Sequence, residues 1–259
     1  MIIDTHCHLD DMRYVADLDD VIQAAKQAGV NRYIIPGADP STLHRAIALS
    51  EEYDEIYFAI GVHPYYAKEF NHKMFDDAIE HPKCIAIGEC GLDYHRLPED
   101  DDAKALEKKM QKEVFIEQIL FANKHNKPLI VHIRDASLDA LEILVKYAGP
   151  KGGVLHCFNA DEQLLSLAKR NFFFGIGGVL TFQNAKKLAN IYPKIPKDTL
   201  LIETDAPYLT PHPHRGKRNE PAYCVDIAYK MASLSGCQVE EIEDLTTKNA
   251  NRLFGLHSS

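Results

Sequence analysis

Two histidines near the start of the chain, His6 and His8 in Met1-Ile-Ile-Asp-Thr-His-Cys-His-Leu-Asp10, follow a short apolar run and stand two residues apart. On a strand, positions i and i+2 face the same way, so both imidazoles point to one side and Cys7 to the other. Paired neutral imidazoles are a natural beginning for a transition-metal site. Further along, His63, Glu89, His132, His156 and Asp205 each end an apolar run. Of these residues, His6, His8, Glu89, His132, His156 and Asp205 are too many ligands for one tetrahedral ion, which takes about four. They suit two adjacent divalent ions, which together bind a phosphoryl oxygen, activate water and stabilise a leaving oxygen. Glu89 is the candidate bridge between them. Asp205 is a candidate ligand that also holds or deprotonates the attacking water. Alternation brings Asp4 and Glu203 inward one layer deeper, either to orient ligands or as satisfied buried carboxylates.

The elements that must position these residues alternate without a break. The sequence predicts strands at Ile2–Ile3, Arg32–Pro36, Ile56–His63, Cys84–Glu89, Pro128–Arg134, Gly153–Phe158, Phe172–Ile176 and Leu200–Asp205. Between them, helical spacing predicts helices over Asp17–Gly29, Leu43–Tyr53, Lys73–Glu80, Ala103–His125, Ser137–Tyr147, Glu162–Arg170 and Asn184–Ile191. Two more, Ala222–Ser235 and Val239–Phe254, close the chain. Eight apolar strands alternating with helices imply an α/β fold with a parallel sheet, and in this length a closed (β/α)8 TIM barrel. No GxGxxG or GxxxxGK[ST] supports a nucleotide-binding open sheet. No linker-like stretch divides the chain, so a single domain over 1–259 is expected. In such a barrel the active site lies at the C-terminal ends of the strands, where the ionisable residues fall.

The chain of 259 residues is 46% hydrophobic, with a formal charge of −9, which argues against a broad basic surface that coats nucleic acid. A local anion site built around metal ions is still allowed. No apolar run approaches a membrane span and no signal-peptide pattern opens the chain, so cytoplasmic residence is the expectation. Nothing points to an obligate protein partner. The six cysteines lack CxxC spacing and read as reduced, mostly buried residues. Cys7, Cys90 and Cys157 adjoin ligand candidates, but alternation turns them away.

Several segments together resemble the TatD family of metal-dependent deoxyribonucleases. They are Asp4-Thr-His-Cys-His8, Gly61-Val-His-Pro64, Gly88-Glu-Cys-Gly-Leu-Asp-Tyr94, Pro128-Leu-Ile-Val-His-Ile-Arg134, His156-Cys-Phe158, Glu203-Thr-Asp-Ala-Pro207 and Arg215-Gly-Lys-Arg-Asn-Glu-Pro221. The likeness runs from residue 2 almost to Asn249–Phe254. It implies a metallo-hydrolase barrel acting on DNA, with 3′-to-5′ exonuclease activity and a magnesium requirement. It also implies metal ligands at His6, His8, Glu89, His132, His156 and Asp205, with every ligand position filled. Histidine-rich sites favour zinc, manganese, iron or nickel and magnesium favours oxygen, so Mg, Mn and Zn all stay open.

Substrate contacts are expected from Arg96, Arg134, Arg215, Lys217 and Arg218, which follow strand ends or sit in the loop after strand eight. Guanidinium forks suit phosphate oxygens, and the Arg215–Arg218 loop reads as a lid or phosphate clamp. Tyr65, Tyr66 and Phe158 are candidate stacking surfaces for an unpaired base. Asp205, Glu89, His63 and Glu203 are the expected catalytic set. The expected substrate is DNA at single-stranded or frayed ends, since a barrel mouth admits a strand end more easily than a strand middle. The competing reading is a binuclear amidohydrolase acting on a cyclic amide or other small substrate. That relation usually offers a carbamylated lysine at the end of strand four, where this chain has Glu89.

Overall fold

The computed structural model of the chain describes residues 1–76 and 78–256. Eight strands form one parallel sheet in sequence order: β1 (Ile2–Asp4), β2 (Val30–Ile35), β3 (Ile56–Ile60), β4 (Cys84–Asp93), β5 (Leu129–Arg134), β6 (Gly153–Leu155), β7 (Phe172–Ile176) and β8 (Leu200–Ile202). Backbone bonds close the ring between β8 and β1: Thr5 N–H donates to Ile202 O (3.1 Å), Asp205 N–H to His6 O (2.9 Å) and His8 N–H to Ala206 O (2.7 Å). The architecture is the (β/α)8 barrel expected from the alternation.

Helices α1 (Leu18–Gln27), α2 (Leu43–Glu52), α3 (Asp101–Lys124), α4 (Ser137–Tyr147), α5 (Lys186–Ile191), α6 (Cys224–Ser235) and α7 (Val239–Phe254) surround it. On α1, Leu18, Val21, Ile22 and Ala25 form the buried stripe that its spacing requires. The barrel interior takes Ile3, Ile34, Ala59, Ala86, Ile130, Val154, Phe173 and Leu201, one from every strand, and the end of α7 plugs it with Ala250, Leu253 and Phe254. That apolar layer leaves only the opposite mouth open for polar chemistry.

Three secondary-structure expectations need correction. The Lys73–Glu80 helix is absent among the described residues: a 3-10 turn spans His72–Phe75, and Asp77 of that stretch lies outside the described residues. Pro82 restricts His81 before it, and too little chain remains for a stable helix. Glu162–Arg170 is wound as 3-10 turns, ended by Asn171 at φ +62°. Residues 257–259 of the expected 1–259 domain lie outside the described residues. Finally, β1, β3, β6 and β8 stop before their ionisable residues, whereas β4 runs four residues past Glu89 to Asp93. Gly91 permits that extension: its φ is +145°, and a Cβ there would lie 2.0 Å from His132 O.

Candidate metal centre

The six expected ligands converge at the open mouth. His6 and His8 lie past the end of β1, so strand alternation is not what aims them. Cys7 forms an isolated bridge with Ala206 while its N–H donates to Ile34 O (3.1 Å), and this irregular backbone brings the two Nε2 atoms within 3.3 Å. Asp205, at φ +57°, turns sharply after β8, and its Oδ1 lies 3.4 Å from His8 Nε2 and 3.7 Å from His6 Nε2.

Glu89 is divided between two groups of imidazoles. Its Oε2 faces His6 (3.5 Å) and His8 (3.9 Å), and its Oε1 faces His132 Nδ1 (3.0 Å), His156 Nε2 (3.3 Å) and His63 Nε2 (3.8 Å). Ligand atoms about 2.0–2.2 Å from one tetrahedral ion stand roughly 3.3–3.6 Å from each other. His6, His8 and Asp205 form one cup of about that size, and Glu89, His132 and His156 another. The donor set therefore fits divalent cations.

Outer groups hold the ligands. His132 Nε2 meets Asp93 Oδ2 at 2.9 Å, which leaves Nδ1 for the centre. Burial raises the Asp93 carboxyl, but its bonds with His132 and the His95 N–H outweigh that and bring it down to about 2. Glu203 Oε1 lies 3.2 Å from His156 Nδ1, though poorly aligned for a hydrogen bond, and accepts the Cys157 N–H at 2.5 Å. Gly175 makes room for this carboxylate, since a Cβ there would sit 2.1 Å from Glu203 Oε2. Asp4 is the satisfied kind of buried carboxylate, accepting from His6 N–H (3.3 Å), Thr204 N–H (3.0 Å) and Thr204 Oγ1 (2.5 Å). Burial still pushes its pKa up to about 7.

Protonation follows the same crowding. Burial alone lowers the pKa of His156, but Glu89 and Glu203 raise it well above the ordinary value. Burial raises Glu89, and the surrounding imidazoles, His156 and His6 foremost, bring it well below. His63 goes the other way: burial lowers it to about 3, partly opposed by Glu89. Its Nδ1 accepts the Tyr65 N–H (3.1 Å), so the neutral ring carries its proton on Nε2 and offers a hydrogen bond to the centre.

Two glutamines on α3, seven residues apart on one face, fix the backbone beside the site. Gln118 accepts from Val62 N–H (2.8 Å) and donates to Val62 O (3.0 Å), while Gln111 does the same at Asp93 (2.9 and 3.0 Å). Sequence reading passed over Asp93 and both glutamines. The i+4 step from Glu89 to Asp93, and polar residues two turns apart on a helix facing the barrel, are the signals that would have found them.

The ligands floor a cleft of about 510 Å³ lined also by Asp10, Asp39, Thr42, Tyr65, Tyr66, Arg96, Arg134 and Tyr208. Of the expected substrate residues, Arg96 and Arg134 line it. Arg215, Lys217 and Arg218, expected as a clamp, lie outside its lining. Arg218 is held by Asp17 (2.9 and 2.7 Å) and Glu220 (3.0 Å), and Arg215 donates to Thr210 O and lies over Phe182. Lys217 is exposed, with its backbone carbonyl bonded to Thr210. Phe158 is buried against Phe174 and offers no stacking face, while Tyr208 lines the cleft instead. Cys7 and Cys90 turn their thiols to the carbonyls of Ile34 and Ile130, away from the ligands.

Residues 3–255 match the TatD related DNase family. The metal-dependent hydrolase YabD of Bacillus subtilis is 44% identical, over 99% of this chain and 100% of that protein. A protein of Erwinia tasmaniensis named 3′-5′ ssDNA/RNA exonuclease TatD is 32% identical, over 98% of this chain and 100% of its own length. Among solved structures, the TatD homologue YJJV of Escherichia coli superposes with a TM-score of 0.90 at 29% identity, covering 99% of this chain and 98% of that one. With its barrel and nearly its whole length matched by these proteins, the chain belongs to the TatD-related DNase family and is a metal-dependent hydrolase of the TatD type.

Proposed function

We propose that the protein is a phosphodiesterase with two divalent ions that removes nucleotides from the 3′ ends of single-stranded or frayed DNA. The observation that carries this reading is Glu89, whose two oxygens face two separate ligand cups. When bound, the ions supply Lewis-acid stabilisation of phosphoryl oxygens and an activated water. Mg, Mn and Zn all remain eligible by donor type.

The chain's own residues do the rest. Arg96, beyond β4, and Arg134, the last residue of β5, stand on the cleft wall and hold the non-bridging phosphate oxygens. His63 donates its Nε2 proton as a hydrogen bond to phosphate, where negative charge develops. Asp205, the more exposed of the two ligating carboxylates, orients the attacking water and accepts its proton. Tyr65, Tyr66 and Tyr208 offer faces to unpaired bases. The Erwinia relative's name supports a nucleic-acid substrate.

The test is hydrolysis of bis(p-nitrophenyl) phosphate and of end-labelled linear and covalently closed single-stranded DNA, with each metal added back in turn. Linear DNA is expected to be shortened from its 3′ end to mononucleotides and the circle to survive. The Glu89→Gln variant is expected to lose more than the roughly 10–100-fold typical of losing a ligand's outer partner. Rapid cutting of the circle, or near-normal turnover by Glu89→Gln at full metal content, refutes the reading.

A further inference from the structure

The cleft is polarised in a way that the metal cups do not require. Arg96, beyond β4, and Arg134, at the end of β5, stand on one wall, whereas Asp10, Asp39 and Thr42, from the segments after β1 and β2, line the cleft as well. Asp11 lies there too, but Arg13 engages its carboxylate at 2.7 and 2.9 Å. Asp10 makes no such ion pair among the described residues. It is 4% exposed, its Oδ2 accepts from Thr42 Oγ1 at 2.5 Å, and its Oδ1 has no hydrogen-bond partner among the described residues. Among the described residues, Asp10 is also absent from every group of side chains close enough to share an ion.

A buried carboxylate oxygen without a partner is costly to keep. Being acceptor-only, it calls for an O–H or N–H and repels a phosphate. On the proposed nuclease reading, on which this inference rests, the scissile phosphate lies at the metal centre and the terminal nucleoside lies in the cleft. The donor common to all four terminal nucleotides is the free sugar hydroxyl. We infer that Asp10, braced by Thr42 and reinforced by the charge of Asp39, is the subsite for the 3′-hydroxyl of the terminal nucleotide, and that it excludes a 3′-phosphate. In the middle of a strand that position carries a phosphodiester, which the two carboxylates repel. The preference for ends is then set by charge on this wall as well as by the shape of the mouth.

The experiment uses the metal-loaded protein and three otherwise identical single-stranded oligonucleotides ending in 3′-hydroxyl, 3′-deoxy or 3′-phosphate, with bis(p-nitrophenyl) phosphate alongside. A hydrogen bond to a charged acceptor is worth on the order of ten- to a hundredfold. The 3′-deoxy end is expected to lose about that much in kcat/KM, chiefly through KM, and the 3′-phosphate end more. In Asp10→Asn, with metal content and melting temperature measured in parallel, the preference for hydroxyl over phosphate should shrink at least tenfold. Asp39→Asn, at a more exposed position, should relax the exclusion of phosphate with less effect on the 3′-deoxy penalty. Equal rates on hydroxyl and phosphate ends, or an unchanged preference in Asp10→Asn, overturn the subsite while leaving the nuclease reading intact. A rate that follows the terminal base rather than the hydroxyl overturns it in favour of recognition of a base amino group. Hydrolysis of bis(p-nitrophenyl) phosphate with no attack on any oligonucleotide ends both the nuclease reading and the subsite.

Discussion

His132 is engaged at both ring nitrogens, with Nδ1 toward Glu89 and Nε2 toward Asp93. A carboxylate behind an imidazole fixes its tautomer and raises its basicity as a ligand. Asp93→Asn is therefore expected to weaken metal affinity by about 10–100-fold, measured by competition with a chelator, with little change in melting temperature. Unchanged affinity would show that Asp93 does not orient His132. A second expectation concerns pH. Glu89 and Glu203 hold His156 above its ordinary pKa against the effect of burial, and His8 and His132 are also raised. A protonated imidazole cannot ligate. Below the raised pKa protons compete with the ion, and above it the ring is free, so affinity should rise with pH and uptake should release protons. Calorimetric titration in two buffers of different ionisation enthalpy reads this directly, and uptake at pH 7 without proton release contradicts it.

The loop after β8 and helix α3 show how the elements serve the site without entering it. Through Arg218 the loop grips Asp17, the N-cap residue just before α1, in a bidentate pair, and the guanidinium also lies over Tyr14. Partly exposed pairs of this kind contribute up to about 1 kcal/mol. Arg218→Ala should thus lower the melting temperature slightly and leave KM for oligonucleotides unchanged. Arg134→Ala, on the cleft wall, should raise KM about tenfold with the fold intact. Steady-state kinetics on the two variants distinguish them, and a KM rise in Arg218→Ala would restore the clamp. Helix α3 acts through the paired bonds of Gln111 and Gln118, which hold the backbone at Asp93 and beside His63 in register with the strands.

For the whole molecule, the formal charge is −9, and on the proposed reading Arg96 and Arg134, which line the cleft, are the residues that meet phosphate. At about −0.7 per contact on single strands, the logarithm of affinity should fall with the logarithm of salt with a slope near −1.4. Binding measured by fluorescence anisotropy between low and moderate salt checks this, and a slope several times steeper would point to a basic surface elsewhere. No helix among the described residues is long and apolar enough to cross a membrane. What the sequence determined by itself was the barrel and which ionisable residues gather at its mouth. Alternating apolar runs admit few folds, and His6, His8, Glu89, His132, His156 and Asp205 each stand where such a run ends. The tertiary structure decided what depends on contacts between distant segments. Asp93 joined the site because β4 continues past a glycine that only its packing against β5 explains. Arg218 is turned from it because Asp17, some two hundred residues away in sequence, lies beside that loop, and Arg215 because Thr210 O and Phe182 hold it. His6 and His8 converge through a bridge to Ala206 rather than through strand alternation. Local periodicity records which face of an element is buried, whereas the partner that a polar side chain meets is set by how the elements pack.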